Sequence, residues 1–443
     1  MTRHRSALLL VLLLCVGALL TAALPPPEQR ALSAMERAAH PLESTGPDGD
    51  LSDLRPFGRM VGDARVVGLG EATHSSHEFF TLKHRVMRYL VEEKGFRTFA
   101  LEASWSSGLR LDAYLLTGRS DPRQIMREEF QDTYAWWNTE EYLALIEWMR
   151  AYNNAHPQDP LRFMGDDFAY AGPELYDKVL DYVAREHPAL LPRFNELYGG
   201  LRPTTAAGPY MKGYLDRPLA ERRDMAARSE QALALLTEQP VRPGAPAREA
   251  YAWAEQHATA IAQTARGYAF DFEDPEQLKA SMRFRDRLMA DNVAWWHAHT
   301  GQKILLSAHD AHVSYRTSDP RYPTMQGAFL RDRFGADYVS VGATFGRGSF
   351  NATGPDGATG VHTLGPAARG SNEHLLDRVS RRDYVADLRT APRAARTWLA
   401  TARPTRSIGT AYPEPEHRIA PVRSHDILIH LHRIRAARLL AVP

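Results

Sequence analysis

Four short apolar, β-rich runs, each coupled to a capped helical pattern, set the strongest limit on what this chain can fold into. Arg65 to Leu69 leads into Glu78 to Lys94, which carries Phe79, Leu82, Val86 and Leu90 at helical spacing and stops at Gly95. Arg97 to Leu101 is followed by a helix near Leu109 to Leu116 that ends at Gly118. Leu161 to Met164 follows a helix whose opening "NTEE" offers Asn138 as cap and Glu141 as the carboxylate reaching back to it. Lys303 to Leu306 is the fourth run, and Tyr338 to Ala343 and Ile427 to His430 add two candidate strands. Strands alternating with helices need crossover connections, so the pattern predicts an α/β fold with a mostly parallel central sheet flanked by helices.

Between about Gly172 and Asp274 the grammar changes to long helical patterns such as Leu219 to Leu236 and Ala247 to Ala269. Residues 172–274 therefore read as a helical insertion between strands three and four, serving as a lid or cap or as a larger crossover packed on the sheet. A connection of that length far exceeds the usual two to six residues. The α/β core is then split into 24–171 and 275–443. Gly346 to Gly370, rich in Gly, Ser, Thr and Asn, reads as a mobile loop.

The N-terminus follows different rules. Arg3, His4 and Arg5 precede an apolar stretch from Ala7 to Leu20, then Thr21, Ala22 and Ala23, with prolines from Pro25. That is the pattern of a signal peptide over residues 1–23, cleaved after Ala23, and it predicts an exported protein. An uncleaved membrane anchor is the alternative, and it is the one way a membrane would be a partner. The only cysteine, Cys15, falls inside this stretch, so the mature protein would have no disulfide, thiolate nucleophile or cysteine-bound metal. With 54 basic against 53 acidic residues and no Lys/Arg block, nucleic acid is not expected as a partner.

In an open parallel sheet, ligands bind outside the carboxyl ends of the strands. Here those ends carry Glu71 and His74, then Glu102, then Asp166 and Asp167, then His309, Asp310 and His312. One acid at a strand end is usually a cap or a surface ion pair. Glu102 ends "TFALE" and His309 follows "ILLSA", where burial is expected and a buried carboxylate needs a partner or a raised pKa. Two buried carboxylates and two histidines around one crevice are the ingredients of a general acid/base site. Lys83, Arg85 and a protonated His309 are candidate donors to a developing oxyanion. Trp105, Tyr134, Trp136 and Trp137 either pack in the core or offer flat apolar surface to a substrate.

No G-x-S-x-G elbow, phosphate-binding loop, dinucleotide fingerprint or H-E-x-x-H motif occurs. His74, Glu71, Glu102 and His309 would also satisfy zinc or manganese, so a metallohydrolase and a non-enzymatic exported protein binding haem or metal stay open beside a cofactor-free hydrolase.

The stretches "GEATHSSHEFFTLKHR", "FALEASW", "RDRLMADNVAWW" and "SAHDAHVS" resemble the erythromycin esterase family, over most of the chain from about Val66 to "DILIHLHR". That resemblance implies hydrolysis of a macrolide lactone or related small-molecule ester, by a metal-independent route in which histidine activates water. It further implies His74 as general base, Glu71 and Glu102 as supporting carboxylates, His309 as a second essential imidazole, and His312 and Lys83 lining the site. The family's G-E-A-T-H stretch commonly continues with glycine and threonine, where this chain has Ser75, Ser76 and His77, so the mouth of the site is expected to differ.

Overall fold

The computed structural model describes residues 25–316 and 318–441; the signal-peptide reading and Cys15 lie outside the described residues. Among the described residues no helix is long and apolar enough to cross a membrane.

The strands are β1 (His40–Pro41), β2 (Val66–Leu69), β3 (Phe96–Ser104), β4 (Arg162–Asp167), β5 (Lys303–Ser307), β6 (Tyr338–Thr353), β7 (Thr359–Leu364), β8 (Tyr384–Asp387), β9 (Arg403–Thr405), β10 (His417–Ile419) and β11 (Ile427–Ile434). The large sheet runs β1-β8-β11-β6-β2-β5-β3-β4, and β9 with β10 forms a separate hairpin. From β11 to β4 all neighbours are parallel, while β8 joins β11 and β1 joins β8 antiparallel. The α/β expectation with a mostly parallel sheet is met.

Register explains why the strand ends matter. Leu69 faces Ser307 on one side and Val341 on the other, and Leu101 faces Ser307 and Gly165. The parallel strands therefore finish level, so Glu71, Glu102, Asp166 and His309 emerge along one rim.

Residues alternate between the two faces. Val67, Leu69, Phe99, Leu101 and Leu305 pack with Phe79, Leu82, Val86 and Leu90 of the helix His77–Lys94. Val66, Ala100, Ile304 and Leu306 pack instead with Leu175, Val179, Ile261, Val293 and Trp296. Burial on both faces is why these strands read as continuous apolar runs. It also places parts of the insertion 172–274: the helices Pro173–Glu186 and Ala245–Tyr268 cover the second face of the sheet, while Ala207 and Met211 of the helix Ala207–Leu215 pack in the cluster that holds Tyr134, Trp136 and Trp137.

Three local expectations are corrected. Thr139, not Asn138, caps the helix Glu140–Ala155 by accepting from Tyr142 N, and Glu141 is engaged by His77 Nδ1 at 2.6 Å. The stretch 346–370 contains ordered β structure, because β6 continues to Thr353 and its far half pairs antiparallel with β7. The helix after β3 starts earlier than expected, at Trp105, where Ser104 caps Ser107 N, and stops at Gly118 with φ 67°.

That helix approaches β4 closely through Gly108, where a methyl group would overlap the backbone of Met164 and Gly165. Gly108→Ala is expected to cost about 1–3 kcal/mol, the range for overpacking a tight contact, since backbone on both sides cannot yield. Urea unfolding would measure it, and an unchanged midpoint would mean the two segments separate freely.

Candidate active site

The rim holds a cleft of about 380 Å³ whose walls include His74, Glu102, Arg285, His309 and His312. Aromatic rings Tyr134, Trp136 and Trp137 form one side, and segments around 316–325 and 407–425 form the other. No residue of 172–274 contributes to these walls.

His74 follows β2. Its Nδ1 lies 3.0 Å from Glu71 Oε1, and Glu71 is fully buried. A carboxylate accepts only, so Nδ1 carries the hydrogen and Nε2 is left as a lone pair. Beneath Glu71, Lys83 Nζ donates to Glu71 Oε2 at 2.5 Å and to Ser307 Oγ at 2.9 Å. The imidazole packs on Trp137 at 5.1 Å and on His309 at 4.9 Å between ring centroids.

His309 caps a short helical turn, with its Nδ1 accepting from Ala311 N at 3.2 Å. A nitrogen that accepts carries no hydrogen, so neutral His309 holds its proton at Nε2, which is buried without a hydrogen-bond partner among the described residues. Burial and the neighbouring His74 push this imidazole well below its ordinary pKa, which keeps it neutral.

Glu102 ends the apolar part of β3 and is the hub. Its Oε2 accepts from His309 N at 2.9 Å, while Oε1 accepts from Arg285 Nη2 at 2.8 Å and lies 3.2 Å from His312 Nε2. Burial opposes its charge, yet His312, His74 and Arg285 hold the carboxyl well below the usual range. His312 shows the reverse balance, because burial is outweighed by Glu102 and by Asp286, 2.8 Å from its Nδ1, and the imidazole titrates well above its usual value. Asp167 binds Arg285 through Nε and Nη2. Burial and the adjacent Asp167 push the Asp166 carboxyl well up, and burial raises Asp310 to about 8.

The structure thus brings together Glu71, His74, Glu102, His309 and His312. Lys83 is 1% exposed and sits under Glu71, outside the cleft walls, so it is a charge partner and not a substrate contact. Arg85 points away: its guanidinium ties down residues 46–53 through Gly46 O, Asp50 O and Asp53 Oδ1. Trp105 packs edge-on against Trp295 and Trp296 in the core and does not reach the cleft. His77 and Glu78 face elsewhere, the latter holding Arg435. Arg285 and Asp286, absent from the sequence-based site, are the principal additions. Their signals are that they open the stretch "RDRLMADNVAWW" and that the aspartate lies on the same helical stripe as Met289, Val293 and Trp296.

Among the described residues no three His, Asp or Glu side chains are grouped so as to hold a metal ion. The carboxylates already occupy His74 Nδ1 and both nitrogens of His312.

Comparison with known proteins gives the chain's family and its fold relatives. The family model described as erythromycin esterase matches residues 91–434. Erythromycin esterase type II of Escherichia coli is 25% identical over 332 residues, 69% of this chain and 74% of the relative, and a putative hydrolase, YbfO, of Bacillus subtilis is 31% identical over 133 residues, 30% of this chain and 28% of that protein. A Bacillus cereus protein of known structure superposes with a TM-score of 0.83 at 29% identity, covering 94% of this chain and all of that one. A mutant of the erythromycin esterase EreC in its open conformation shares the fold, with a TM-score of 0.71 at 18% identity over 90% of this chain and 98% of that one. On the family-model match over residues 91–434, well over half its length, the chain belongs to the erythromycin esterase family.

Proposed function

We propose that this protein hydrolyses a carboxylic ester or lactone by direct attack of water. The observation that carries the reading is the pairing of two oppositely wired imidazoles on one cleft: His74, whose Glu71 contact leaves a lone pair at Nε2, and His309, whose Ala311 contact leaves a hydrogen at Nε2. Water held at His74 Nε2 loses a proton to it as the oxygen attacks the carbonyl carbon, and the C=O electron pair moves onto oxygen. His309 Nε2–H donates to that oxygen, a role suited to a neutral imidazole because it does not give up its proton. Collapse of the tetrahedral species breaks the C–O bond, and the departing alkoxide recovers the proton from His74.

The cleft is at the low end of the roughly 300–1,000 Å³ usual for drug-sized ligands. A large ring would place its ester bond inside, against the wall that holds Tyr134 and Trp136, with much of its surface outside. Macrolides are the first substrates to test because the curated relative carries the name erythromycin esterase. Macrolides of different ring size should be screened by mass spectrometry beside simple aryl esters, in ¹⁸O-labelled water. One labelled oxygen in the acid product and no acylated protein is the expected result; a trapped acyl-enzyme would refute direct attack.

Prolonged dialysis against a chelator is expected to leave turnover unchanged. Activity lost and then restored by one added divalent metal would reassign the same side chains as ligands. The N-terminal pattern supports action outside the cytoplasm, which fractionation of the native host would test.

A further inference from the structure

A further imidazole stands on the cleft wall, away from the His74 and His309 pair. His425 precedes β11, is 7% exposed and lines the cleft together with Ser424 and Ser314, whose segments are joined by Tyr315 N donating to Ser424 O at 2.9 Å. Its Nδ1 lies 2.9 Å from Ser340 Oγ, which in turn lies 2.7 Å from Val313 O. A carbonyl oxygen only accepts, so the single hydroxyl hydrogen of Ser340 points to Val313, and toward His425 the same oxygen can only be an acceptor. Nδ1 therefore carries a hydrogen. No carboxylate pairs with this ring, and burial pushes it down to about 3, which keeps it neutral. Nε2 is thus a lone pair, with no partner among the described residues.

Register shows where that lone pair sits. Ser340 and Gly342 project from the same face of β6, and a methyl group at Gly342 would lie 2.5 Å from His425 Cδ2 and 2.8 Å from Nε2. Val341 pairs with Leu69, the last residue of β2, so Gly342 stands at the rim. The ring therefore lies along β6 with Nδ1 toward the interior of the sheet and its Cδ2–Nε2 edge at the strand ends, where the cleft is. The hydroxyls beside it are committed: Ser314 Oγ donates to Ala311 O at 2.8 Å and Arg316 O at 2.9 Å, and Ser424 Oγ donates to Ala420 O at 3.2 Å. All three side chains present acceptors to this end of the cleft. An ammonium donor would be repelled by Arg316, exposed on the same wall, so a neutral hydroxyl fits best.

We propose that His425 is a specificity-determining residue whose Nε2 accepts a hydrogen bond from a neutral hydroxyl of the substrate, so that the preferred ester carries a hydroxyl away from the bond that breaks. This rests on the hydrolytic reading above. An ester without the hydroxyl leaves a buried acceptor unpaired, and the site discriminates against it for that reason.

Methyl esters of ω-hydroxyalkanoic acids of increasing chain length, each beside the plain alkanoate ester, provide the test. At the length that reaches His425 the hydroxyl is expected to raise wild-type kcat/KM about 10-fold, the worth of one hydrogen bond in a buried site. His425→Phe keeps a flat ring over Gly342 and leaves Ser340 its bond to Val313, and the ratio between the paired esters should fall to about one. No hydroxyl preference at any length, or a preference that survives in the variant, would overturn the proposal. A second measurement needs only the wild type. ¹⁵N NMR of the labelled histidines should show His425 as the Nδ1–H tautomer, with its Nε2 resonance moved by the matching ω-hydroxyalkanamide, an uncleaved probe, and not by the plain alkanamide. An Nε2–H tautomer, or an equal response to both amides, would overturn it whether or not His425→Phe folds. No turnover of any ester, with the hydroxyl-dependent NMR response intact, would refute the hydrolytic reading and leave the hydroxyl subsite standing; turnover without hydroxyl preference would do the reverse.

Discussion

His74→Asn is expected to lower kcat by about 10²–10⁴ while leaving the fold intact. The asparagine side chain can still donate to Glu71 through its amide, but it has no basic nitrogen to accept a proton from water. Little packing is lost, because the ring meets Trp137 edge-on and His309 at a tilt and its side chain is 9% exposed. The residual rate should rise in proportion to hydroxide concentration, since solvent then supplies the deprotonated nucleophile that the missing base no longer makes. A thermal melt matching the wild type would separate this result from damage to the core. An unchanged kcat would remove His74 from the mechanism, and a lost melt transition would assign it to structure.

The residues that sequence could nominate for this site share one property, their position at the end of a parallel strand. Glu71, His74, Glu102, His309 and His312 were legible because apolar runs of strand length bracket them and the crevice rule says where such ends meet. Register then does what the sequence cannot, aligning Leu69, Leu101 and Ser307 so that the ends are level. Arg285 and Asp286 escaped that logic because they lie mid-helix, where an Arg-Asp pair looks like solvated surface; only the fold turns that face toward the strand ends. Lys83 and Arg85 show the same blindness in reverse. Two residues apart on one helix they point in different directions, one under Glu71 and the other toward residues 46–53. The insertion 172–274 reads as helical, but its placement depends on which sheet face lacks cover. The β6–β7 hairpin was masked by Gly and Ser, whose composition marks turns and weak strands alike.

Lys83→Met is expected to destabilise the protein by about 3–5 kcal/mol in urea unfolding, the cost of leaving a buried carboxylate without its cation. Glu71 is fully buried and its two oxygens have one partner each here, His74 and Lys83, so deleting the ammonium leaves a charge that solvent cannot reach. Adding Glu71→Gln in the same chain should recover most of that loss, because the amide is neutral and the methionine fills the alkyl channel of the lysine. Activity should not recover with it. The amide can turn either its oxygen or its nitrogen toward His74 Nδ1, and in the second orientation the imidazole hydrogen moves to Nε2, where the lone pair for water is needed. Stability restored without turnover would show that the Glu71 carboxylate serves the fold through Lys83 and the chemistry through His74. Recovery of both would mean that the charge at position 71 does not set the tautomer, and the assignment of His74 as base would then need another source of orientation.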